Sequence, residues 1–220
     1  MRKIDHSLLD NAKANKKDEF YTQLLDIERE LQYYEKHFKN KTVYCNCDDA
    51  RVSNFYKFFV ENFKRLGLKK LICACYKRDS QDLFEANEHA FYYEYAGKEK
   101  KYPTLKDVNY FKGNGDFRSN ESVELLKQSD IVVTNPPFSL FREYVSQLEK
   151  YKKKFLIISN INAITYKEVF ALIKENKVWM GVNMGRGISG VIVPKHYEIY
   201  GLENKINVNG ERNISQNNCR

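Results

Sequence analysis

The tetrapeptide Asn135-Pro136-Pro137-Phe138 directly follows an apolar run that is typical of a buried strand. Two consecutive prolines fix φ and remove two backbone N–H donors, so no adjacent donor competes for the carbonyl oxygens beside them. The Asn135 side chain offers a further carbonyl acceptor. Rigid acceptors placed side by side can bind both hydrogens of an –NH2 group. The pattern therefore indicates chemistry on an exocyclic amine, and an ordinary Asn-Pro turn is the alternative.

An amine conjugated to a ring is a weak nucleophile, because its lone pair is delocalised into the ring. Acceptors on its two hydrogens favour a tetrahedral nitrogen and make the lone pair available. No strong base has to act first, since the product ammonium loses its proton readily. Phe138 can stack on the ring that carries the amine, and stacking of this kind contributes about 1–3 kcal/mol per base.

Apolar runs alternate with helical periodicities between residues 42 and 176, which predicts a parallel sheet with helices packed on its faces. Ligands bind at the carboxyl ends of the strands in such sheets, and the tetrapeptide lies at one of these ends. The predicted strands are 41–47, 69–76, 130–135 and 153–160. The predicted helices lie within 18–38, 49–67, 119–129, 139–151 and 165–176.

The remaining segments have weaker patterns. Residues 91–105 predict a hairpin that turns near Gly97, and the Asn-Gly pair within 204–215 predicts another hairpin. Residues 177–185 and 190–197 resemble two strands joined by the glycine-rich stretch 185–190. That stretch suits a tight connection better than a phosphate-binding loop, although its backbone could serve either role.

The composition suggests a partner and a compartment. The formal net charge of +8 favours a polyanionic partner, although lysine-rich chains are often basic for compositional reasons alone. The start of the chain has no apolar signal segment, and no run reaches the length of a membrane span. We therefore expect no membrane association, a monomer, and the reducing cytoplasm of a bacterium or of a phage-infected host cell.

Four of the five cysteines form two C-x-C pairs, Cys45/Cys47 and Cys73/Cys75. Residues i and i+2 of a strand share a face, so four sulfurs could converge on a zinc ion if the two strands were neighbours. Both pairs lie in apolar runs, where cysteine is a common small core residue. We therefore predict no metal site, and the four histidines have no spacing typical of ligands.

The segment "DEFYTQ" resembles the N-terminal Phe-Tyr-Thr element of adenine methyltransferases. Four motifs follow it in a fixed order along the chain, namely "VYCNCDDARVSNF", "GDFRS", "DIVVTNPPFSLF" and "TYKEVF". Together they resemble the EcoRI-type adenine-specific DNA methyltransferases, over nearly all of residues 18–218. The resemblance implies an α/β fold, the Rossmann-like class I methyltransferase fold, with a mostly parallel central sheet and helices on both faces. It also implies S-adenosyl-L-methionine as cofactor, double-stranded DNA as partner and methylation of the N6 amine of adenine, as in restriction-modification or phage DNA protection.

The resemblance also implies roles for individual residues. The target adenine would be held by Asn135, Pro136 and Phe138 as catalytic residues, with Pro137 as a further substrate contact. Cofactor contacts would come from three elements: Phe20, Tyr21 and Thr22; the loop with Cys45, Asn46 and Asp48; and Asp116 with Phe117. An acidic Asp48 facing the ammonium group of the cofactor is reasonable on charge grounds as well.

Two features depart from the usual methyltransferase pattern. The loop after the first predicted strand has no glycine, and the strand 69–76 is followed by Lys77, Arg78 and Asp79, so the role of binding the ribose hydroxyls stays unassigned. Family members continue past the equivalent of residue 218. We therefore expect a flexible basic arm over 1–17 and a catalytic domain over 18–220, with the sheet incomplete at its C-terminal end and without the C-terminal DNA-recognition region.

Two alternatives remain open. The same chemistry could act on another planar –NH2 group, in RNA or in a protein glutamine. The chain could also be an inactive remnant that binds DNA. Comparison of DNA, RNA and protein acceptors distinguishes the first alternative, and titration with the cofactor distinguishes the second.

Overall fold

The structure is a computed structural model that describes residues 21–76, 89–183, 191–193, 205–206 and 212–214. In chain order the described strands are β1 (Tyr21–Thr22), β2 (Thr42–Cys45), β3 (Lys70–Cys75), β4 (Phe91–Tyr95), β5 (Asn109–Tyr110), β6 (Ile131–Thr134), β7 (Lys154–Ile157), β8 (Val191–Val193), β9 (Lys205–Ile206) and β10 (Arg212–Ile214). The described α-helices are α1 (Leu24–Leu31), α2 (Asn54–Glu61), α3 (Phe63–Leu66), α4 (Asn120–Gln128), α5 (Phe141–Lys150) and α6 (Lys167–Lys174). Short 3₁₀ helices cover Gln32–His37, Phe138–Leu140 and Ile161–Thr165.

The central sheet has the strand order β5-β4-β3-β2-β6-β7. The neighbours β3, β2, β6 and β7 pair in parallel, whereas β4 and β5 pair antiparallel at one edge. The predicted α/β fold with a mostly parallel central sheet is thus confirmed.

The inner strands β2, β3 and β6 are buried on both faces of the sheet, which explains why they are nearly continuous apolar runs. Side chains alternate between the faces along each strand. One core contains the side chains of α1, α2 and α3 together with Val43, Cys45, Leu71, Cys73, Ile131 and Val133. The other contains side chains of α4 and α5 together with Tyr44, Ile72, Ala74 and Val132.

The helix boundaries follow the chemistry of the capping residues. Ser53 caps α2, because its side chain accepts from the backbone N–H groups of Phe55 and Tyr56. Ser119 caps α4 in the same way through Ser122, at the predicted start of that helix. Gly67 ends α3 with φ of 62°, a left-handed conformation that favours glycine.

A second, antiparallel sheet has the order β1-β8-β10-β9. The pairing of β9 with β10 confirms the hairpin predicted within 204–215. The strand predicted over 190–197 is present as β8, and β1, from the "FYT" motif, pairs with it. No pattern in the motif predicts its pairing with a segment about 170 residues later in the chain.

The strand predicted over 177–185 is wrong for its described part, residues 177–183, which contains no strand. The backbone N–H groups of Val182 and Asn183 donate to the Glu30 carboxylate of α1, at 2.7 and 3.0 Å, rather than to a neighbouring strand. These two backbone N–H groups are therefore bonded to the Glu30 side chain and do not pair with a neighbouring strand.

Of the hairpin predicted over 91–105, the first strand is present as β4, and Gly97 lies in the turn after it with φ of 94°. The returning strand predicted within this range is wrong, because residues 96–105 contain no strand and β4 pairs with β5 instead. The connection to β5 is longer than predicted, because β5 begins only at Asn109. The predicted arm 1–17 and the glycine-rich connection 185–190 lie outside the described residues.

Cys45 and Cys73 are register partners on neighbouring strands and are buried. Within the described ranges, no cluster of three or more His, Cys, Asp or Glu side chains could hold a metal ion. Among the helices of those ranges, none is both long and apolar enough to cross a membrane.

Candidate active site

A cavity of about 150 Å³ lies where the carboxyl ends of β2, β3 and β6 meet. This is the position at which open α/β sheets bind their ligands. The cavity is lined by Thr22 of β1 and by five other segments of the chain. Segment by segment, the lining residues are Asn46, Cys47, Asp48 and Asp49; Ser53, Asn54 and Phe55; Cys75 and Tyr76; Gly115, Asp116 and Phe117; and Asn135, Pro137, Ser139 and Leu140.

Asp48 lies at the centre of the hydrogen bonds below the cavity. Its carboxylate accepts from the Ser53 hydroxyl at 2.6 Å and from the Thr134 hydroxyl. Its backbone N–H donates to the carbonyl of Ala74 in β3 at 3.0 Å. These bonds connect the loop after β2 to α2, β3 and the last residue of β6, so the Asp48 carboxylate has a fixed position in the cavity wall.

Asn46 is 3% exposed and is held by α5. Its side-chain oxygen accepts a hydrogen bond from the hydroxyl of Tyr144, a residue that is 0% exposed. Burial, with a smaller effect from Cys47, raises the pKa of Tyr144 well above its ordinary value, so the hydroxyl stays protonated and donates. The loop after β2 is therefore connected to the helix that follows the proline motif.

The opposite wall comes from the segment before α4. Gly115 adopts φ of 73°, and a Cβ atom there would lie 2.9 Å from the carbonyl oxygen of Cys75. The next residue, Asp116, accepts from the Arg118 side chain at both carboxylate oxygens, at 2.9 and 2.7 Å. The Arg118 guanidinium also lies 5.4 Å from the centre of the Phe117 ring, so one arginine supports both predicted cofactor contacts.

The proline motif lies between β6 and α5 as predicted. Asn135 and Pro137 line the cavity, whereas Pro136 is buried and Phe138 begins the 3₁₀ helix that leads into α5. The carbonyl of Pro137 already accepts from Leu140 N–H at 3.1 Å. The acceptor pair predicted to bind an amine therefore consists of the side-chain oxygen of Asn135 and the carbonyl of Pro136.

Thr22 brings the N-terminal motif to the cavity. The residue is 5% exposed, and its buried hydroxyl oxygen has no hydrogen-bond partner among the described residues. Its carbonyl accepts from the Asn54 side chain at 2.8 Å, which fixes β1 against the start of α2. Phe20 lies outside the described residues, and Tyr21 lies in β1.

The structure thus brings Thr22, Asn46, Asp48, Asp116, Phe117, Asn135 and Pro137 together around one cavity. Of the assigned residues whose side chains the structure describes, three do not line the cavity, namely Cys45, Pro136 and Phe138. Cys45 follows the side-chain alternation of β2 and lies in the same core as Val43. Cys47, two residues later, lines the cavity instead. The roles of all these residues remain predictions.

Sequence reasoning missed several residues that hold the site. Ser53 could have been found from its position before a helical periodicity, because serine is a preferred N-cap. Arg118 follows the Asp-Phe pair directly, where an Asx-type contact to Asp116 is common. Nothing in the sequence pattern indicates that Tyr144 contacts Asn46, because the two are 98 residues apart.

The chain has relatives among known proteins. The family model described as "Adenine-specific methyltransferase EcoRI" matches residues 8–220. The chain is 61% identical to the Type II methyltransferase M.EcoRI of Escherichia coli over 222 aligned positions, which cover 99% of this chain and 68% of that protein.

Two mycoplasma proteins are also similar. The chain is 41% identical to the Type II methyltransferase M.MgeORF184P of Mycoplasma genitalium, with 86% of this chain and 55% of that protein covered. It is 43% identical to the Type II methyltransferase M.MpnI of Mycoplasma pneumoniae, with 77% of this chain and 49% of that protein covered. The chain thus spans about two-thirds of the first relative and about half of the other two. No solved structure matches. The extent of the family match and the identity to M.EcoRI show that the chain belongs to the EcoRI family of adenine-specific methyltransferases.

Proposed function

We propose that this chain transfers a methyl group from S-adenosyl-L-methionine to the N6 amine of adenine in a specific sequence of double-stranded DNA. The observation that supports the proposal is that two residues of the motif, Asn135 and Pro137, line the same cavity as five of the predicted cofactor residues, namely Thr22, Asn46, Asp48, Asp116 and Phe117. An acceptor for the amine and a binding site for the methyl donor therefore lie within reach of each other. The designation Type II, which the three relatives share, fits a modification enzyme of a restriction-modification system.

The residues at the cavity fit the proposed cofactor. Asp48 offers a carboxylate to a cationic group, and Phe117 is an aromatic side chain that can pack on a purine. The buried Thr22 hydroxyl has no hydrogen-bond partner among the described residues, and a buried polar atom of this kind normally has one. An oxygen or nitrogen of the bound cofactor would supply it.

When bound, S-adenosyl-L-methionine supplies an electrophilic methyl group on a sulfonium. The protein acts on the amine. Asn135 Oδ1 and the Pro136 carbonyl accept its two hydrogens, which localises the lone pair on nitrogen. Phe138 belongs to the 3₁₀ helix whose next two residues, Ser139 and Leu140, line the cavity, and we propose that its ring stacks on the extruded adenine there. Loss of a proton from the product ammonium completes the transfer, and the motif needs no separate general base.

The adenine amine is not accessible inside a duplex, so we infer that the base is extruded from the stack before transfer. The formal net charge of +8 supports binding to the phosphate backbone. The basic run at 150–154 is remote from the cavity, because β7 begins there and the cavity lies at the other end of the parallel strands. We further propose that residues 18–220 form the catalytic domain and that the chain acts as a monomer.

The experiment is methyl transfer from radiolabelled S-adenosyl-L-methionine to a panel of duplex DNAs, RNA and a mixture of proteins. The proposal predicts label in DNA alone, and N6-methyladenine as the modified nucleoside after nuclease digestion. Label found only in RNA or only in protein would contradict DNA as the substrate and would identify that acceptor instead. Cofactor binding without transfer to any acceptor would favour an inactive remnant.

A further inference from the structure

Tyr144 contacts two walls of the cavity although it does not line the cavity itself. It lies in α5, the helix that follows the Asn-Pro-Pro-Phe motif, and it is 0% exposed. Its hydroxyl reaches Asn46, in the loop after β2, and its ring contacts Phe117, before α4. One side chain therefore joins the two segments predicted to bind opposite ends of the cofactor.

The contact with Asn46 decides how that amide is oriented. The Tyr144 hydroxyl donates to Asn46 Oδ1, and the Cys47 thiol lies 3.8 Å from the same oxygen. Among the described residues, none accepts a hydrogen bond from Asn46 Nδ2. Because Asn46 lines the cavity, its N–H donors are the part of the amide left for a ligand.

The contact with Phe117 is made by the ring rather than the hydroxyl. The two ring centres are 5.1 Å apart with an interplanar angle of 70°, an edge-to-face arrangement that aromatic pairs favour. Phenylalanine at position 144 would keep this contact. A buried hydroxyl is unfavourable without a partner, so packing alone does not account for a tyrosine at this position.

We propose that Tyr144 is a positioning residue for the cofactor, and this inference rests on the proposed function. Its hydroxyl holds the Asn46 amide so that Nδ2 donates to an oxygen of S-adenosyl-L-methionine, either the carboxylate or a ribose hydroxyl. Without that hydroxyl the Asn46 amide can rotate and present Oδ1, rather than Nδ2, to the oxygen of the cofactor. Its ring holds Phe117 against the same ligand.

The test is calorimetric titration of the purified chain and its variants with S-adenosyl-L-methionine. Tyr144→Phe should raise the Kd about 3- to 10-fold, the usual effect of one hydrogen bond. Asn46→Ala should weaken binding by at least as much. In the Asn46→Ala background Tyr144→Phe should have no further effect, because the two residues act as one unit.

Tyr56→Phe is the matched control. Tyr56 is also buried, and its hydroxyl donates to the Lys101 carbonyl at 2.8 Å, but it does not line the cavity. This variant should leave the Kd within about twofold of the wild-type value, and its effect should add to that of Asn46→Ala. If Tyr144 had only a structural role, the effects of Tyr144→Phe and Asn46→Ala on the Kd would be additive in the same way.

Asn46→Asp tests the amide donor directly and keeps the acceptor for Tyr144. It should weaken binding more than tenfold, because an oxygen replaces the donor that faces the ligand. 5′-Methylthioadenosine, which lacks the carboxylate, distinguishes the two ligand oxygens. Its Kd is unchanged by Tyr144→Phe if Asn46 binds the carboxylate and is raised if Asn46 binds the ribose.

Wild-type binding that is unaffected by both Tyr144→Phe and Asn46→Asp would overturn the inference and leave the proposed function intact. Additive effects of Tyr144→Phe and Asn46→Ala would also overturn it. Absence of cofactor binding by the wild-type chain would instead contradict the proposed function, and the inference with it.

Discussion

Thr134 donates a hydrogen bond from its hydroxyl to the carboxylate of Asp48. Thr134 is the last residue of β6 and directly precedes Asn135, whereas Asp48 belongs to the loop after β2. Because β2 and β6 are parallel neighbours, their carboxyl ends lie side by side and the contact is short-range in space. This hydrogen bond connects the neighbour of Asn135, the residue proposed to bind the amine, with Asp48, the residue proposed to face the methyl donor.

Thr134→Val should remove this connection with little change in side-chain shape. Hydrogen bonds to charged groups contribute about 1.5–3 kcal/mol, so we expect a loss of that size in the free energy of unfolding. Cofactor affinity should also fall, because the Asp48 carboxylate keeps only Ser53 of its two hydroxyl donors. Urea denaturation and calorimetric titration measure the two effects. Thr42→Val is the control, since Thr42 is a buried residue at the other end of β2.

Arg118→Lys should weaken cofactor binding about 3- to 10-fold without unfolding the protein. Lysine keeps the charge but cannot make the two-nitrogen contact that fixes the Asp116 carboxylate. Arg142→Lys is a matched control, because Arg142 contacts Glu168 through the same two-nitrogen geometry at 2.8 Å and does not line the cavity. Equal effects of the two variants on the cofactor Kd would contradict the role of Arg118.

Gly115→Ala should destabilise the fold by about 2–5 kcal/mol. A left-handed backbone costs a non-glycine residue about 1–2 kcal/mol, and overpacking adds about 1–3 kcal/mol. The added Cβ would lie 2.9 Å from both the Cys75 carbonyl oxygen and the Ala90 Cβ. Chemical denaturation measures the loss. Gly113→Ala serves for comparison, because the nearest atom to its Cβ would be a Glu121 carboxylate oxygen at 3.7 Å.

The Glu30 carboxylate accepts hydrogen bonds from Tyr34 at 2.8 Å and from Val182 and Asn183. Burial alone would raise the pKa of Glu30, but these hydrogen bonds outweigh it and lower the pKa below 4.5. Burial and the contact with Glu30 raise the pKa of Tyr34 to about 12, so Tyr34 remains a donor throughout the acidic and neutral range.

The stability that Glu30 contributes should therefore depend on pH in one direction. A lowered pKa in the folded state means that the contribution is fully present above the unfolded-state pKa and is lost as the pH falls through the folded value. Glu30→Gln should have a lower Tm than the wild type at pH 7, and the difference should shrink below about pH 4. Glu28→Gln, at an exposed position of the same helix, should show no such convergence.

The parallel part of the fold could be predicted from the sequence, because β2, β3 and β6 are buried on both faces and read as apolar runs. Capping serines and Gly67 mark helix ends through local chemistry, and local chemistry is visible in a short window. The Asn-Pro-Pro-Phe motif was informative for the same reason, since four adjacent residues carry the acceptor geometry.

The contacts that could not be predicted join residues far apart in the chain. Tyr144 and Asn46 are 98 residues apart, and Thr134 and Asp48 are 86 residues apart. The strand predicted over 177–185 failed because a carboxylate of α1 takes its backbone donors, which no pattern within that segment reveals. Cys45 was assigned to the cofactor loop, but the last residue of β2 still alternates into the core.

Asn135 is proposed to bind the amine of the target adenine and not the cofactor. The most direct measurement is the single-turnover rate of methyl transfer to duplex DNA for Asn135→Ala at saturating S-adenosyl-L-methionine. Asn62→Ala is the control, since Asn62 lies between α2 and α3 and does not line the cavity. We predict a rate at least about 100-fold below the wild-type rate, by analogy with the loss of one preorganised hydrogen-bonding group in other active sites. We also predict an unchanged cofactor Kd and a wild-type rate for the control. An Asn135→Ala enzyme that transfers the methyl group at the wild-type rate would contradict the account.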